Sequence, residues 1–252
     1  MQADLKETMQ DTFDLLIFVG RPASGKSEII DFLKHTPPDI RRSKFHIAGL
    51  DILDDFPMLW TWFEEDYLLS EKLGQPRLYT TEDQYFRYPY LWHLLIERFS
   101  LEYRKRLRDD PAYHSHTTLV LEFSRGSEHG GYAEAFAHLS DDILRRAAIV
   151  YVHVPFEESQ RKNRRRANAN RPESILEHSL PDDKLIRLYR DDDWAAFTVG
   201  DAQSVTVRSI RVPYFVFDNA DDVTTGKPDV LGRRLEEVLG RLWRLQIARS
   251  AD

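Results

Sequence analysis

Five short stretches of near-continuous apolar residues punctuate the chain: Leu15 to Val19, Lys44 to Ala48, Thr117 to Phe123, Ala147 to Val154 and Tyr214 to Phe217. A run without polar alternation predicts a strand covered on both faces, as in a parallel sheet between helical layers. Between these runs the period changes. Trp92, Ile96, Phe99, Tyr103 and Leu107 recur at steps of three and four, as do Leu231, Leu235, Val238, Leu242 and Leu245. Each series predicts an amphipathic helix laid on the sheet. Pro228 opens the second series, because its missing N–H costs nothing in a first helical turn. Strands alternating with helices predict an α/β fold of three layers around a five-stranded parallel sheet, with the whole chain 1–252 as one domain.

The spacing is uneven. About 65 residues, Asp51 to His116, separate the second and third runs, too many for a simple crossover. They carry Trp60, Trp62, Tyr85, Phe86 and Trp92 in helical context. Residues 52–116 are therefore expected to form a helical insertion at the carboxyl edge of the sheet, where α/β proteins bind ligands. Its aromatics either pack the insertion's own core or wall a pocket for a second substrate. Residues 155–203 form a second long excursion.

Composition narrows the function. A net charge of -7 disfavours a general nucleic-acid surface. With no cysteine, disulfides, thiolate metal sites and cysteine nucleophiles are excluded. The polar, acidic start MQADLKETMQDTFD and the lack of any apolar run of membrane-spanning length lead us to expect a cytoplasmic protein without membrane attachment.

The most specific chemistry follows the first run directly. Gly20 to Ser27 read GRPASGKS and lead into SEIIDFLK. A buried strand, a glycine-bearing turn and a helix start together aim backbone N–H groups and the helix dipole at phosphate. The expected nucleotide-binding set is Gly20, Ala23, Ser24, Gly25, Lys26, Ser27 and Glu28. In this motif the lysine reaches the β- and γ-phosphates, which falls to Lys26, and the hydroxyl ligates Mg²⁺, which falls to Ser27.

Three further features sit where phosphoryl transfer needs them. Asp51, reached through AGLD, is expected at the end of the second strand, either activating an attacking hydroxyl or, with Asp54 and Asp55, capping the next helix. Glu122 follows the apolar Leu119, Val120 and Leu121, and a carboxylate there needs a partner: either Mg²⁺, or Arg125 in a buried ion pair. Arg125 is also placed to contact substrate. After the fourth strand, Arg161, Lys162, Arg164, Arg165 and Arg166 make a positive field. Arg161 and Arg165 share one helical face, suited to stabilise transferring phosphate or simply solvated. Asp191, Asp192 and Asp193 read as a helix end or turn, and the histidines take no role.

This order of GRPASGKS, Asp51, Glu122, the strand IVYVHVPFEES before an arginine-rich helix, and the late VPYFVFDNADDV resembles the P-loop kinases of nucleotides and small metabolites over nearly the whole chain. The resemblance implies a sheet ordered 2-3-1-4-5, lid arginines at Arg161 and Arg165 with Arg166 as a register alternative, and a base contact around Asn219. It favours ATP, and no NKxD guanine signature opposes that. The function so implied is an ATP- and Mg²⁺-dependent phosphotransferase acting on a small molecule or nucleotide. The insertion exceeds the acceptor helices of such kinases and leaves the acceptor open. A nucleotide-sensing module whose aromatic insertion binds a protein partner is the alternative. Homodimerisation through the C-terminal amphipathic helix is a further arrangement left open.

Overall fold

A computed structural model describes residues 11–166 and 179–251. Its sheet has six strands in the order β2-β3-β1-β4-β6-β5, comprising β1 (Leu15–Val19), β2 (Gly49–Asp54), β3 (Thr117–Phe123), β4 (Ala147–His153), β5 (Ser204–Val207) and β6 (Ile210–Asp218). All neighbours run parallel except β5, which pairs antiparallel with β6. The expected parallel order is thus present, with one strand more. Arg208, in the left-handed region at φ 55° between β5 and β6, turns the extra hairpin, and Leu139 and Ala137 carbonyls accept from its guanidinium. No glycine marks that turn in the sequence.

The second strand lies later than expected. Pro38 starts helix α2 (Pro38–Phe45), following α1 (Lys26–His35), and takes up Lys44 and Phe45 of the run read as a strand. His46 ends α2 in the left-handed conformation, and pairing begins at Gly49. As an edge strand β2 tolerates Asp51 and Asp54 within it.

Alternation in the central strands divides the core into two faces. Leu15, Ile17, Val19, Leu121 and Phe123 face one layer, which includes α4 (Tyr90–Asp109), α6 (Gly131–Ala137) and α7 (Asp141–Arg146). Leu16, Phe18, Val120 and Val150 face α1 and the C-terminal helix α11 (Pro228–Ala251). Leu231, Leu235, Val238 and Leu242 of α11 are buried in that second core, as expected of a stripe laid on the sheet.

The insertion carries α3 (Asp55–Tyr67), a π-helical turn over Leu68–Lys72, α4 and α5 (Tyr113–His116). Buried Asp66 shapes its loop, accepting from the backbone N–H of Leu78 (2.7 Å), Tyr79 (2.9 Å) and Thr80 (2.5 Å). Trp62 stacks on Tyr79 with centroids 5.3 Å apart in a small separate core. Helix α8 (Phe156–Arg166) follows β4, and α9 (Asp182–Tyr189) and α10 (Trp194–Phe197) precede β5. Residues 167–178 of the expected lid lie outside the described residues. No helix among the described residues is long and apolar enough to cross a membrane.

Candidate active site

The fully buried strand β1 delivers the chain to the phosphate loop. Gly20 (φ 151°) passes so close to β4 that a Cβ would meet the Val152 carbonyl oxygen at 2.4 Å. Gly25 (φ 111°) precedes α1 without any side-chain cap, and a Cβ there would meet Asn219 Nδ2 at 2.6 Å. Between them Ala23 is left-handed at φ 56°. The first-turn N–H groups of α1 thus keep no side-chain acceptor, the condition for anion binding at a helix start. Ser24 is fully buried and its Oγ has no hydrogen-bond partner.

Lys26 is buried and folds back over the loop, donating to the carbonyls of Gly20 (3.2 Å) and Arg21 (3.1 Å) and to Ser124 Oγ (2.9 Å). Ser27 Oγ donates to Glu122 Oε1 at 2.9 Å. Glu122 keeps company with two more carboxylates, Asp54 at the end of β2 and Asp55 at the start of α3. Burial, then the charges of Glu122 and Asp55, pushes Asp54 up to about 8. Burial also raises Glu122 and Asp55, against the pull of Lys26 on the first and Arg125 on the second. Crowded acids beside a hydroxyl form a hard-oxygen donor set, and Ser27 with Glu122 fits Mg²⁺.

Asp51 is not at the strand end. It lies in the middle of β2, where Arg106 donates to it through Nε (2.5 Å) and Nη2 (3.3 Å) and Tyr113 Oη donates at 2.8 Å. Burial acts to raise its pKa, but these partners outweigh it and hold Asp51 below its ordinary value. The carboxylate that reaches the cavity from this strand is Asp54, three residues on. Its Oδ1 accepts from the N–H of Phe56 at 2.9 Å, the helix cap that was the alternative reading of these acids. The sequence carried a signal for it, because apolar Ile52 and Leu53 carry the run past Asp51 as far as Asp54.

Arg125, only 2 % exposed, donates to Asp55 at 2.5 Å and to the carbonyl of Trp92 at 3.1 Å, under the Trp92 ring. The buried ion pair foreseen for Glu122 belongs instead to Asp55, and Arg125 reaches the site as a wall residue. Arg161 and Arg165 line no part of the cavity that contains Lys26. They lie against Asp222, at 3.3 Å and 3.6 Å, on the loop after β6. The buried cation of that helix is Lys162, donating to Thr224 Oγ1 at 3.0 Å and paired with Asp222 at 2.8 Å. The side chain of Arg166 lies outside what is described.

Asn219 is wholly buried and its amide is fully engaged. Nδ2 donates to the Ser24 carbonyl (2.7 Å) and Thr224 Oγ1 (2.9 Å), while Oδ1 accepts from the Val223 N–H (2.9 Å). It ties the loop after β6 to the phosphate loop, and no donor remains to read a base. A hollow of about 450 Å³ lies beside Ser27 and Glu28, lined also by Thr224, Lys227 and Pro228 of that same stretch.

A larger cavity of about 780 Å³ joins the phosphate loop to the insertion. Lys26, Asp54, Glu122 and Arg125 line it together with Trp60, Phe63, Tyr85, Phe86 and Trp92. Of the insertion's aromatics, Trp62 lies in a core, Phe86 and Trp92 pack on that core and also face the cavity, and Trp60, Phe63 and Tyr85 line the cavity. His129, missed by sequence reading, stacks on Trp92 with centroids 3.9 Å apart. Its Nδ1 accepts from the Gly126 N–H at 3.3 Å, so the neutral ring carries its proton on Nε2, which has no partner. Burial, and then Arg125, pushes its pKa down to about 3. Helix α9 covers the opening with Lys184, Arg187 and Tyr189. Its end is anchored where Arg21 pairs with Asp192 at 2.8 Å, and Asp193 caps α6 by accepting from the N–H groups of Tyr132 and Ala133. The three adjacent aspartates are thus helix-end and turn residues.

No protein-family model matches the chain, and no curated protein matches it. Solved structures do. Kti12 of Chaetomium thermophilum, in complex with ADP-AlF3, superposes with a TM-score of 0.51 at 13% identity, over 91% of this chain and 97% of that one. Shikimate kinase from Acinetobacter baumannii, in complex with shikimate, is 13% identical over 92% of this chain and 96% of that one, with a TM-score of 0.40. The chain shares the fold of Kti12. At such identities the likeness extends to the fold alone, and the chemistry has to come from the residues of this chain.

Proposed function

We propose that this protein is an ATP- and Mg²⁺-dependent phosphotransferase whose acceptor, a small molecule or nucleotide, occupies the aromatic cavity. One observation carries this reading: the cavity walled by Trp60, Phe63 and Trp92 opens directly onto Lys26, Asp54 and Glu122. A phosphate end and an acceptor end in one enclosure is the arrangement that transfer between two bound substrates requires. The ADP-AlF3 held by Kti12 supports a nucleotide at this fold's loop.

The roles follow from position. Lys26 and the open N–H groups of α1 hold the phosphates, and the hollow beside Thr224 and Pro228 receives the base. Ser27 and Glu122 hold Mg²⁺, which when bound neutralises charge on the phosphate oxygens. Asp54 replaces Asp51 as the base: burial and the neighbouring acids raise its proton affinity, and its carboxylate takes the acceptor's proton as the acceptor oxygen bonds to the γ-phosphorus and the bond from that phosphorus to the bridging oxygen breaks, ADP leaving. Trp92 and His129 form a flat wall, and α9 excludes water.

The test pairs a Mg²⁺–ATP thermal-shift titration with transfer of labelled γ-phosphate to a panel of nucleosides, sugars and nucleotide monophosphates. Asp54→Asn should keep the nucleotide-induced shift and lose transfer, whereas Lys26→Ala should lose both. Transfer surviving in Lys26→Ala would refute the proposal.

A further inference from the structure

Away from the phosphate loop, four residues that sequence reading left without a role meet between two helices. His93 and Glu97 stand one turn apart on α4, and Glu134 and His138 stand one turn apart along α6 and its C-terminal cap. Residues four apart share a helix face, so each helix offers a histidine and a carboxylate to the same groove. One ligand atom from each of His93, Glu134 and His138 lies within 4.8 Å of the other two. His93 Nε2 is 3.1 Å from Glu134 Oε1, and the two imidazoles stack with centroids 4.5 Å apart.

From this geometry we infer a binding site for a first-row transition metal of the zinc class, bridging α4 and α6. The donor chemistry selects the metal, since two imidazoles and one carboxylate suit Zn²⁺ and are too soft a set for Mg²⁺.

Two local features prepare these ligands. Glu97 Oε1 lies 3.0 Å from His138 Nδ1. A carboxylate can only accept there, so the proton stays on Nδ1 and Nε2 keeps its lone pair for a metal, the outer-shell support that metal-binding histidines commonly have. Gly130 lies at φ 83°, and a Cβ on it would meet Glu134 Oε2 and Cδ. The glycine therefore makes room for the Glu134 carboxylate to fold toward the groove.

The position gives the site a consequence. His93 follows Trp92, and Gly130 follows His129, so a metal here fastens together the two segments whose rings form the cavity wall. A ligand that binds only the folded state raises its stability by mass action.

The experiment uses untagged full-length protein freed of metal with chelator, then titrated with Co²⁺, whose visible bands report low-symmetry nitrogen and oxygen ligation. We expect bands that saturate at one equivalent, disappear when Zn²⁺ is added, and coincide with a rise in melting temperature. His93→Gln with His138→Gln should abolish them, Glu97→Gln should weaken binding about tenfold, and Glu122→Gln, at the phosphate site, should leave them unchanged. His138→Asn alone, at a half-exposed helix end, gives the same reading if the double variant fails to fold. Absence of bands up to millimolar Co²⁺, or bands that persist in the histidine variants or vanish in Glu122→Gln, would overturn the inference.

Discussion

Asp54 stands in register with Glu122 across the β2–β3 ladder, so the carboxyl ends of two adjacent strands aim acids at the same space beside Lys26. Neither has a dedicated arginine, because the one buried in the site, Arg125, is paired with Asp55. A bound divalent cation would balance this crowding of acids, which makes the free protein sensitive to pH.

For Asp54 the sign is set by its raised pKa of about 8. At pH below the ordinary carboxylate range both folded and unfolded chains keep the proton, and stability is unaffected. Between about pH 4 and about pH 8 the unfolded chain gives it up more readily, so stability falls as pH rises. Asp54→Asn should remove that fall, gaining on the order of 2 kcal/mol over the parent between about pH 5 and about pH 8. Parallel thermal melts of the nucleotide-free proteins across that range check it, and superimposable pH profiles would contradict it.

Asp51 behaves in the opposite sense. Its depressed pKa means that its bonds to Arg106 and Tyr113 stabilise the fold above the ordinary carboxylate range and are lost as pH falls through the lowered value. Asp51→Asn should cost about 1 kcal/mol near neutrality, shrinking toward zero in acid. Nucleotide binding and turnover should be retained. A loss of turnover with stability intact would return the catalytic role to Asp51.

Asn219 offers a test of the loop's scaffold. Asn219→Ala leaves the Ser24 carbonyl and the Val223 N–H without their partner in a buried place. A cost of about 2 kcal/mol is expected, with weaker Mg²⁺–ATP binding because Ser24 belongs to the phosphate loop. Urea denaturation and calorimetry measure the two effects separately. Unchanged affinity would mean that the loop holds its shape without this tether.

Arg125 and Asp55 form a pair in which each leaves the other stranded. Arg125→Met and Asp55→Leu should each cost about 3 kcal/mol, while the double variant should cost less than either single change. Chemical denaturation of the four proteins gives the coupling. Strict additivity would show that the two side chains act independently.

Much of this architecture is written locally. The GRPASGKS loop after LLIFV requires glycines where the backbone nears β4 and Asn219, and the runs at β1, β3 and β4 name their own strands because both faces are covered. Ser27 and Glu122 were each singled out for the same reason: one comes shortly after β1 and the other lies in β3, strands whose positions the pattern fixes. The edges of the sheet were not, because an edge strand such as β2 carries polar residues that look like an ending, and a two-residue turn at Arg208 has no glycine to announce it.

What tertiary structure alone decided is which side chains meet. No spacing rule brings Arg106 to Asp51, 55 positions apart, or Arg125 to Asp55, 70 apart. The same holds for the division of the insertion's aromatics between a core and a cavity, and for His93 meeting His138. Hydrophobic periodicity is a property of a segment and survives in the sequence. Ion pairs, cavity walls and ligand clusters depend on how segments pack, and that is fixed only when the layers close.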